Sequence, residues 1–451
     1  MKRIEWTPNV AGADRPLFEA IAEAIATDIQ SGRLNVGDHL PPQRVLAQRM
    51  GLDVTTVARG YTEAARVGLV EARVGSGTFV RGRRRRADAP RRRVDLADRS
   101  MNQPPDVQDE GLLQRIRESA QEVSLALPEL LRYQPSGGVA HDKAAATEWL
   151  TRRGILVDQH QLLVTAGAHA AISAVLSVVL EPGDRLACES ITYPGPQKFA
   201  KQLRVRLQGL PTDEQGIDPQ ALADAAERGR LKALYLNPTL RNPTTHTVPA
   251  GRRAEIIEVA RRYGITLVED DAYGFLPVNP PPAVATMAPE LTYYIAGLAK
   301  CLGPGLRIAY LLTPTTAGID AIADSLRAVS VMASPITAAM ASRWIDSGLA
   351  DAVLAATRAE SRARRQMLTQ ALPAEYFQSA DYCFHAWVKP PPQMDRRRVV
   401  AWTRGYALGG VASDEFCVGI EPPEAFRLCL GGAATRSEAS LAIEALAELY
   451  G

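Results

Sequence analysis

Lys300 ends the apolar run TYYIAGLAK and is followed by CLGPGLR, a Gly/Pro turn that brings Arg307 seven positions on. A primary amine at the end of a buried strand is suited to form a Schiff base with an aldehyde. Thirty residues upstream, Asp270 closes the acidic strand end ITLVED, and Tyr273 follows in DAYG. A carboxylate held against a pyridine nitrogen keeps that nitrogen protonated and makes the ring an electron sink. Tyr273 and Asn242, the latter in NPTLRNPTT, could hydrogen-bond a phenolic oxygen on such a ring, and Tyr193 in ITYPGP could stack on it. Arg307 could take a phosphate bidentately. Gly167, Ala168 and His169 in VTAGAHAAISAVL open a helix, so their backbone N–H groups could meet the same phosphate at the positive end of the dipole.

Each of these residues has a plainer use when taken alone. Asp270 can cap a turn, Asn242-Pro243 can be only a turn, Tyr193 can pack in a core, and most lysines are solvated. Their joint order is more specific than any member. The elements that must position them are legible from about residue 94 onward, where short apolar strands alternate with helical stretches: LKALYLNP, GRRAEIIEVARRYG, ITLVEDDAYG. Such alternation argues for an α/β architecture with a mainly parallel sheet. In such sheets ligands bind beyond the carboxyl ends of the strands, where the polar residues named above stand.

A glycine turn, an aromatic residue, Asn-Pro, Asp-x-x-Tyr, lysine, and arginine seven beyond it form an order that resembles the fold type I aminotransferases, which use pyridoxal 5'-phosphate. The resemblance runs from about Val94 to the C-terminus. It implies a large cofactor domain, a smaller C-terminal α/β subdomain from about residue 340, and a homodimer whose sites lie at the subunit interface. On that analogy Lys300 carries the cofactor, Tyr133 in RYQPSGG reaches the partner subunit's phosphate, and Arg427 in FRLCLGG grips the carboxylate of a substrate or effector. Two positions depart from the usual pattern. Gly297 stands where a phosphate-binding serine is common, removing a hydrogen bond of about 0.5–1.5 kcal/mol, and Thr245 replaces the glycine that commonly ends the NPTG motif. Cys301, directly after the lysine, is read as packing.

The first 82 residues read differently. In PLFEAIAEAIATDIQSG, Leu17, Ile21, Ile25 and Ile29 recur every four positions, which predicts an amphipathic helix stopped at Gly32. PPQRVLAQRMG predicts a second short helix closed by Gly51, and Asp53 can cap a third, VTTVARGYTEAARVG. In LVEARVGSGTFV, alternating residues flank Gly75-Ser76-Gly77, as a two-stranded wing requires. Small structural domains share this outline, but GRLNVGDHLPPQRVLAQRMGL, TTVARGYTEA and GLVEARVGSGTFV resemble the winged helix-turn-helix of the GntR regulator family. Pro42-Gln43 departs from that pattern, where Ser-Glu usually precedes the arginine. The resemblance implies that the third helix enters the major groove of double-stranded DNA with Thr55, Thr56 and Arg59 near its reading end. It also implies that Arg44 and Arg73 meet phosphate and that Gly77 lets the wing approach the DNA backbone.

Charge separates the two parts. The chain has 451 residues, 46% of them hydrophobic, and a net charge of +2, yet residues 1–93 carry 17 Lys+Arg against 10 Asp+Glu. Eight arginines fall in RGRRRRADAPRRR, residues 81–93, which cannot bury a core and reads as a linker over 83–93, either solvated or also touching phosphate. Composition excludes a fibrous or disordered chain. No apolar run spans a membrane and the N-terminus lacks a secretory core, so the expectation is a cytoplasmic protein with no membrane partner. The five cysteines are scattered without C-x-x-C spacing, so neither a disulfide framework nor a metal site is expected.

A GntR-type head over 1–82 joined to an aminotransferase-like body over 94–451 resembles the MocR family of bacterial transcription regulators. That family implies a domain-swapped, head-to-tail homodimer, promoter binding, and sensing of pyridoxal phosphate or of an amine or amino acid effector through an aldimine at Lys300. The alternative is an active aminotransferase, converting an amino acid to a 2-oxo acid, that carries a DNA-binding head.

Overall fold

The computed structural model describes residues 6–10, 16–35, 37–66, 69–73, 77–80, 101–229, 231–406, 408–432 and 434–451. The contacts divide the chain into two compact units, Met1–Leu96 and Ala97–Gly451.

The first unit is three helices and a hairpin: α1 Leu17–Gln30, α2 Gln43–Met50, α3 Val54–Arg66, β1 Val70–Arg73 and β2 Gly77–Val80. Its core is built from Ile21 and Ile25 of α1, Leu46 of α2, Val57 and Tyr61 of α3, and Val70 and Val80 of the strands. The four-residue repeat enters this core at Ile21, because Leu17 is 40% exposed. Asp53 accepts the Thr55 N–H at 2.8 Å, satisfying one of the orphan donors of the first turn of α3. The hairpin is antiparallel, pairing Val70 with Val80 and Arg73 with Gly77. The turn residues Gly75-Ser76 and the arginine run 81–93 lie outside the described residues.

The second unit is built on a seven-stranded sheet. Its strands are β3 Leu162–Thr165, β4 Arg185–Glu189 and β5 Arg206–Leu210; after the small hairpin β6 Thr212–Asp213 and β7 Gly216–Ile217 come β8 Leu231–Leu236, β9 Thr266–Asp270, β10 Thr292–Gly297 and β11 Ala309–Leu312. Their spatial order is β3-β11-β10-β9-β8-β4-β5. Neighbours from β10 through β5 pair in parallel, while β11 runs antiparallel to both β10 and β3. Near-continuous apolar strands such as LLVT and AYLL, buried at every residue, are what a sheet covered on both faces demands.

A four-stranded antiparallel sheet forms the C-terminal part, from β12 Phe377–Gln378, β13 His385–Val388, β14 Gly409–Ala412 and β15 Phe426–Cys429, in the order β12-β13-β15-β14. Phe426 and Leu428 of β15 enter its core with Val388, Leu368 and Ile443. Alternation along the strand therefore turns Arg427 to the opposite face.

Candidate functional site

The register of the large sheet brings the ends of five strands to one edge. Asp270 pairs with Ile295, Gly297 with Ala309, and Ala309 with Thr165. Because β11 runs backwards, Arg307, two residues before its start, reaches the same edge as the residues that follow β3, β8, β9 and β10.

Asp270 is 5% exposed at the end of β9. The phenol of Tyr235 donates to its Oδ2 at 2.7 Å, and the Asn237 amide donates to its backbone carbonyl at 2.7 Å. Burial pushes its carboxyl up to about 6, with the Tyr235 hydrogen bond working the other way. Among the described residues its Oδ1 has no hydrogen-bond partner. A buried carboxylate oxygen without a donor calls for one from a ligand.

Lys300 follows β10 in a single turn of 3-10 helix, Leu298–Lys300. Burial, and after it the nearby Arg427, lowers its ammonium to about 8. Its Nζ donates to the backbone carbonyl of Asn102. The Asn102 amide in turn donates to the Tyr273 phenol oxygen at 2.8 Å and meets Nδ1 of His385 at 3.0 Å. Tyr273 is buried, and burial raises its phenol well above the usual value.

Gly167 precedes the helix Ala168–Val179 with φ 91°, a conformation that glycine adopts without strain. The Arg307 guanidinium lies against it: a Cβ on Gly167 would stand 3.3 Å from Arg307 Nη2. A helix N-terminus with an arginine beside it makes an anion cradle. On the flank of the same helix, His169 hydrogen-bonds the Tyr193 phenol, with the rings edge-on at 5.8 Å. Desolvation, then Arg307, lowers the His169 imidazole's pKa.

Arg427 is buried at 4% exposure, its guanidinium 5.2 Å from the Phe416 ring centre, and its Nη1 donates to the side-chain Oδ1 of Asn242 at 3.1 Å. That bond ties the small sheet to the NPTLRNPTT loop. The structure therefore brings together Lys300, Asp270, Tyr273, Asn242 and Arg427, and sets Gly167, Ala168, His169, Tyr193 and Arg307 along the adjoining rim. Tyr133 is 87% exposed. Thr245 is buried with φ 67°, which accounts for the glycine common at its position in related motifs. Cys301 is buried and packs as expected.

In the first unit, Arg44 on α2 and Thr55 on α3 are exposed, and Thr56 is half-buried. Arg59 is exposed, with its guanidinium 4.2 Å from the ring centre of Phe18. Gly77 has a local reason of its own: a side chain there would collide with His39, which stacks on Phe79 at 4.7 Å.

Bacterial regulatory proteins of the gntR family match residues 17–80, and aminotransferase class I and II matches residues 95–446. The chain belongs to the class I and II aminotransferase family. Its make-up is that of a GntR-type transcription regulator with an aminotransferase-like domain, the MocR combination. It is 28% identical over 429 residues to the uncharacterized HTH-type transcriptional regulator YdeF of Bacillus subtilis, covering 93% of this chain and 91% of that one. The HTH-type pyridoxine biosynthesis transcriptional regulator PdxR of Corynebacterium glutamicum is 27% identical over 304 residues, 65% of each chain. The body superposes with a TM-score of 0.69 on LysN, the α-aminoadipate aminotransferase of Thermus thermophilus complexed with N-(5'-phosphopyridoxyl)-L-leucine, at 21% identity over 78% of this chain and 91% of that one. The aminotransferase fold and the mainly parallel sheet are thus as the sequence led one to expect. No helix among the described residues is long and apolar enough to cross a membrane.

Sequence reasoning missed Asn102, Tyr235, Asn237 and His385. A tyrosine as the penultimate residue of a mostly aliphatic strand, LKALYL, is a usable signal for Tyr235. Asn102 has no such signal, since it meets Tyr273 from 171 residues away.

Proposed function

We infer that this chain is a transcription regulator that holds pyridoxal phosphate at Lys300 and binds promoter DNA as a homodimer, its DNA affinity set by what occupies the Lys300 pocket. The observation that carries the reading is the unpartnered Oδ1 of buried Asp270, on the same sheet edge as Lys300 and the Gly167–Arg307 cradle. These residues fit the cofactor. Asp270 would accept from the ring nitrogen, Lys300 would supply the amine, and Arg307 with the N–H groups of Gly167, Ala168 and His169 would hold the phosphate. Tyr273 and Asn242 would address the ring oxygen, and Tyr193 would face the ring. When bound, the cofactor supplies an aldehyde carbon and an electron-accepting ring. Lys300, with its ammonium lowered to about 8, offers a free amine at neutral pH far more often than an ordinary lysine.

The division of labour follows the sequence: a head over 1–82, an arginine linker over 83–93, and a body over 94–451 with its small subdomain from about 340. In the head, Thr55, Thr56 and Arg59 read bases while Arg44, Arg73 and Gly77 address the DNA backbone. Tyr133, exposed at 87%, completes the cradle of a partner subunit in a domain-swapped, head-to-tail dimer. The effector is pyridoxal phosphate itself, or an amine or amino acid whose carboxylate meets Arg427. A cytoplasmic setting suits such a regulator. An effector alters DNA binding only by favouring one arrangement of the dimer over another. The test is visible absorbance of the purified chain with pyridoxal phosphate, alongside binding to the promoter region beside its own gene. Absorbance indifferent to Lys300→Ala would sink the reading.

Burial of Arg427 beside Asn242 favours a second reading, an active aminotransferase with a DNA-binding head. Lys300 would then shuttle the proton and Arg427 would clamp the substrate carboxylate. Single-turnover conversion of bound pyridoxal phosphate to pyridoxamine phosphate, with a panel of amino acid donors, separates the two.

A further inference from the structure

Asn102 stands twenty-two residues after Val80, the last residue of the wing, and so lies at the far end of the stretch of sequence that joins head to body. It is 3% exposed. Its backbone carbonyl accepts from Lys300 Nζ, and its Nδ2 reaches both the Tyr273 phenol oxygen and His385 Nδ1. Burial, and then Arg427, lowers the His385 imidazole to about 3, so the ring is neutral. Its Nε2 lies 3.3 Å from the Arg241 carbonyl, which can only accept, so the ring proton sits on Nε2 and Nδ1 is the acceptor. Both amide protons of Asn102 are thereby spent on Tyr273 and His385. Its Oδ1, buried, has no partner among the described residues.

The residues that follow are strapped to the end of β15. Pro105 bridges Gly432 in parallel, the Gly432 N–H donates to the Pro104 carbonyl at 3.1 Å, and the Asp106 N–H donates to the Gly432 carbonyl at 3.3 Å. Cys429 Sγ lies 3.7 Å from the Gln103 carbonyl. Gly431 permits the approach, since a Cβ there would lie far inside van der Waals contact of the Gln103 carbonyl oxygen. One short segment thus touches the candidate cofactor amine, the tyrosine beside it, and the strand end that carries Arg427.

We propose that the strap 102–106 reports the occupancy of the pocket to the head, with Asn102 holding Lys300 and Tyr273 until an aldehyde-bearing ligand takes Lys300 Nζ away from the Asn102 carbonyl. The inference rests on the regulator reading above. Nζ forms the new bond to the aldehyde carbon, the aldehyde oxygen leaves as water with both amine hydrogens, and no oxidant or reductant is consumed. The nitrogen that remains is bonded to the aldehyde carbon and carries at most one hydrogen, so it no longer holds Asn102 as the free amine does. Asn102 acts through Lys300 and Tyr273, and is a positioning residue. The released carbonyl and the vacant Oδ1 then free the strap, which lies at the body end of the stretch of sequence leading from the wing.

The test uses the full chain with pyridoxal phosphate as probe, reading three signals: the visible absorbance of the attached probe, amide exchange in the peptide spanning 101–106, and affinity for its promoter fragment. In the wild type, the probe should speed exchange in the strap and change DNA affinity about fivefold or more, the usual scale of coupling between sites. Gly431→Ala, which displaces the strap without altering a pocket side chain, should keep the absorbance band, exchange rapidly without probe, and lose the probe-dependent change in DNA affinity. Asn102→Ala should do the same and also move the pH at which the band changes colour, which a merely structural residue would leave alone. Strap exchange indifferent to the probe, or a full DNA response in both variants, overturns the proposal while leaving the regulator reading intact. Absence of any Lys300-dependent band overturns both.

Discussion

Tyr235 donates to one oxygen of Asp270 at 2.7 Å, and the other oxygen of the same buried carboxylate has no partner among the described residues. A half-satisfied carboxylate is held up to about 6 by burial, and the sign of its effect on stability follows. Between the ordinary value of 3.8 and about 6, the folded chain keeps a proton that the unfolded chain has released. Without cofactor, the contribution of Asp270 to stability therefore falls as pH rises through that window and levels off above it. A protonated ring nitrogen at Oδ1 favours the ionised form and removes that contribution. Buried Glu269, raised to about 7, adds a fall of the same sign with or without the cofactor. Thermal stability between pH 4 and pH 6.5 should therefore fall more steeply without pyridoxal phosphate than with it, and Asp270→Asn should remove that difference. The same variant loses a charge-assisted hydrogen bond of about 1.5–3 kcal/mol, so its cofactor affinity should drop roughly 10- to 150-fold in an absorbance titration.

The lowered ammonium of Lys300 sets a second pH dependence. Only the free amine attacks an aldehyde, so the rate of cofactor attachment should climb with pH and turn over near 8 rather than near the ordinary 10.5. Burial is the larger cause and the Arg427 cation the next. Arg427→Ala should move the midpoint upward. Stopped-flow absorbance across pH 6 to pH 10 would measure it, and an unmoved midpoint would mean that the Arg427 cation does not act on Lys300.

How legible this site was depends on what each residue does to its own neighbourhood in sequence. Asp270 ends β9, Lys300 follows β10 and Arg307 precedes β11, so a change between apolar and polar marks each, and the parallel β9–β10 pairing with the antiparallel β10–β11 pairing then brings them together. Gly167 is marked by the helix that starts after it. Asn102 precedes no regular element and makes its contacts across 171 and 198 residues, so only tertiary structure reveals it. Arg59 was assigned to DNA by the helix it occupies, but its stacking on Phe18 joins α3 to α1 and is invisible to a linear reading. The family resemblance singled out Arg427, but its partner Asn242 lies 185 residues away in sequence and is visible only in the folded chain.

Head substitutions should separate packing from recognition. Arg44→Ala, on an exposed α2 surface, should weaken binding to all DNA sequences alike and reduce the slope of log affinity against log salt by about 1. Arg59→Ala should do more, costing the head about 0.5–1 kcal/mol through the lost Phe18 stack in addition to any change in sequence preference. Salt-titrated binding together with chemical unfolding of the full chain would distinguish them. If Arg59→Ala left head stability unchanged, the stack would have no structural weight.

Beneath the pocket, Arg241 donates to Glu189 at 2.9 Å, and both side chains are buried. Burial raises the Glu189 carboxyl and the Arg241 cation opposes that rise, so the pair is stable only while both members are present. Arg241→Met should leave a buried carboxylate uncompensated and destabilise the body by about 3–5 kcal/mol, whereas adding Glu189→Leu should restore much of the loss. Arg241 also lends its backbone carbonyl to His385, which holds Asn102, yet a side-chain substitution leaves that carbonyl in place. The double variant should therefore regain stability and keep cofactor attachment at Lys300 together. Denaturant unfolding and the visible absorbance band would report the two separately. Recovered stability without recovered attachment would show that this ion pair shapes the pocket as well as supporting it.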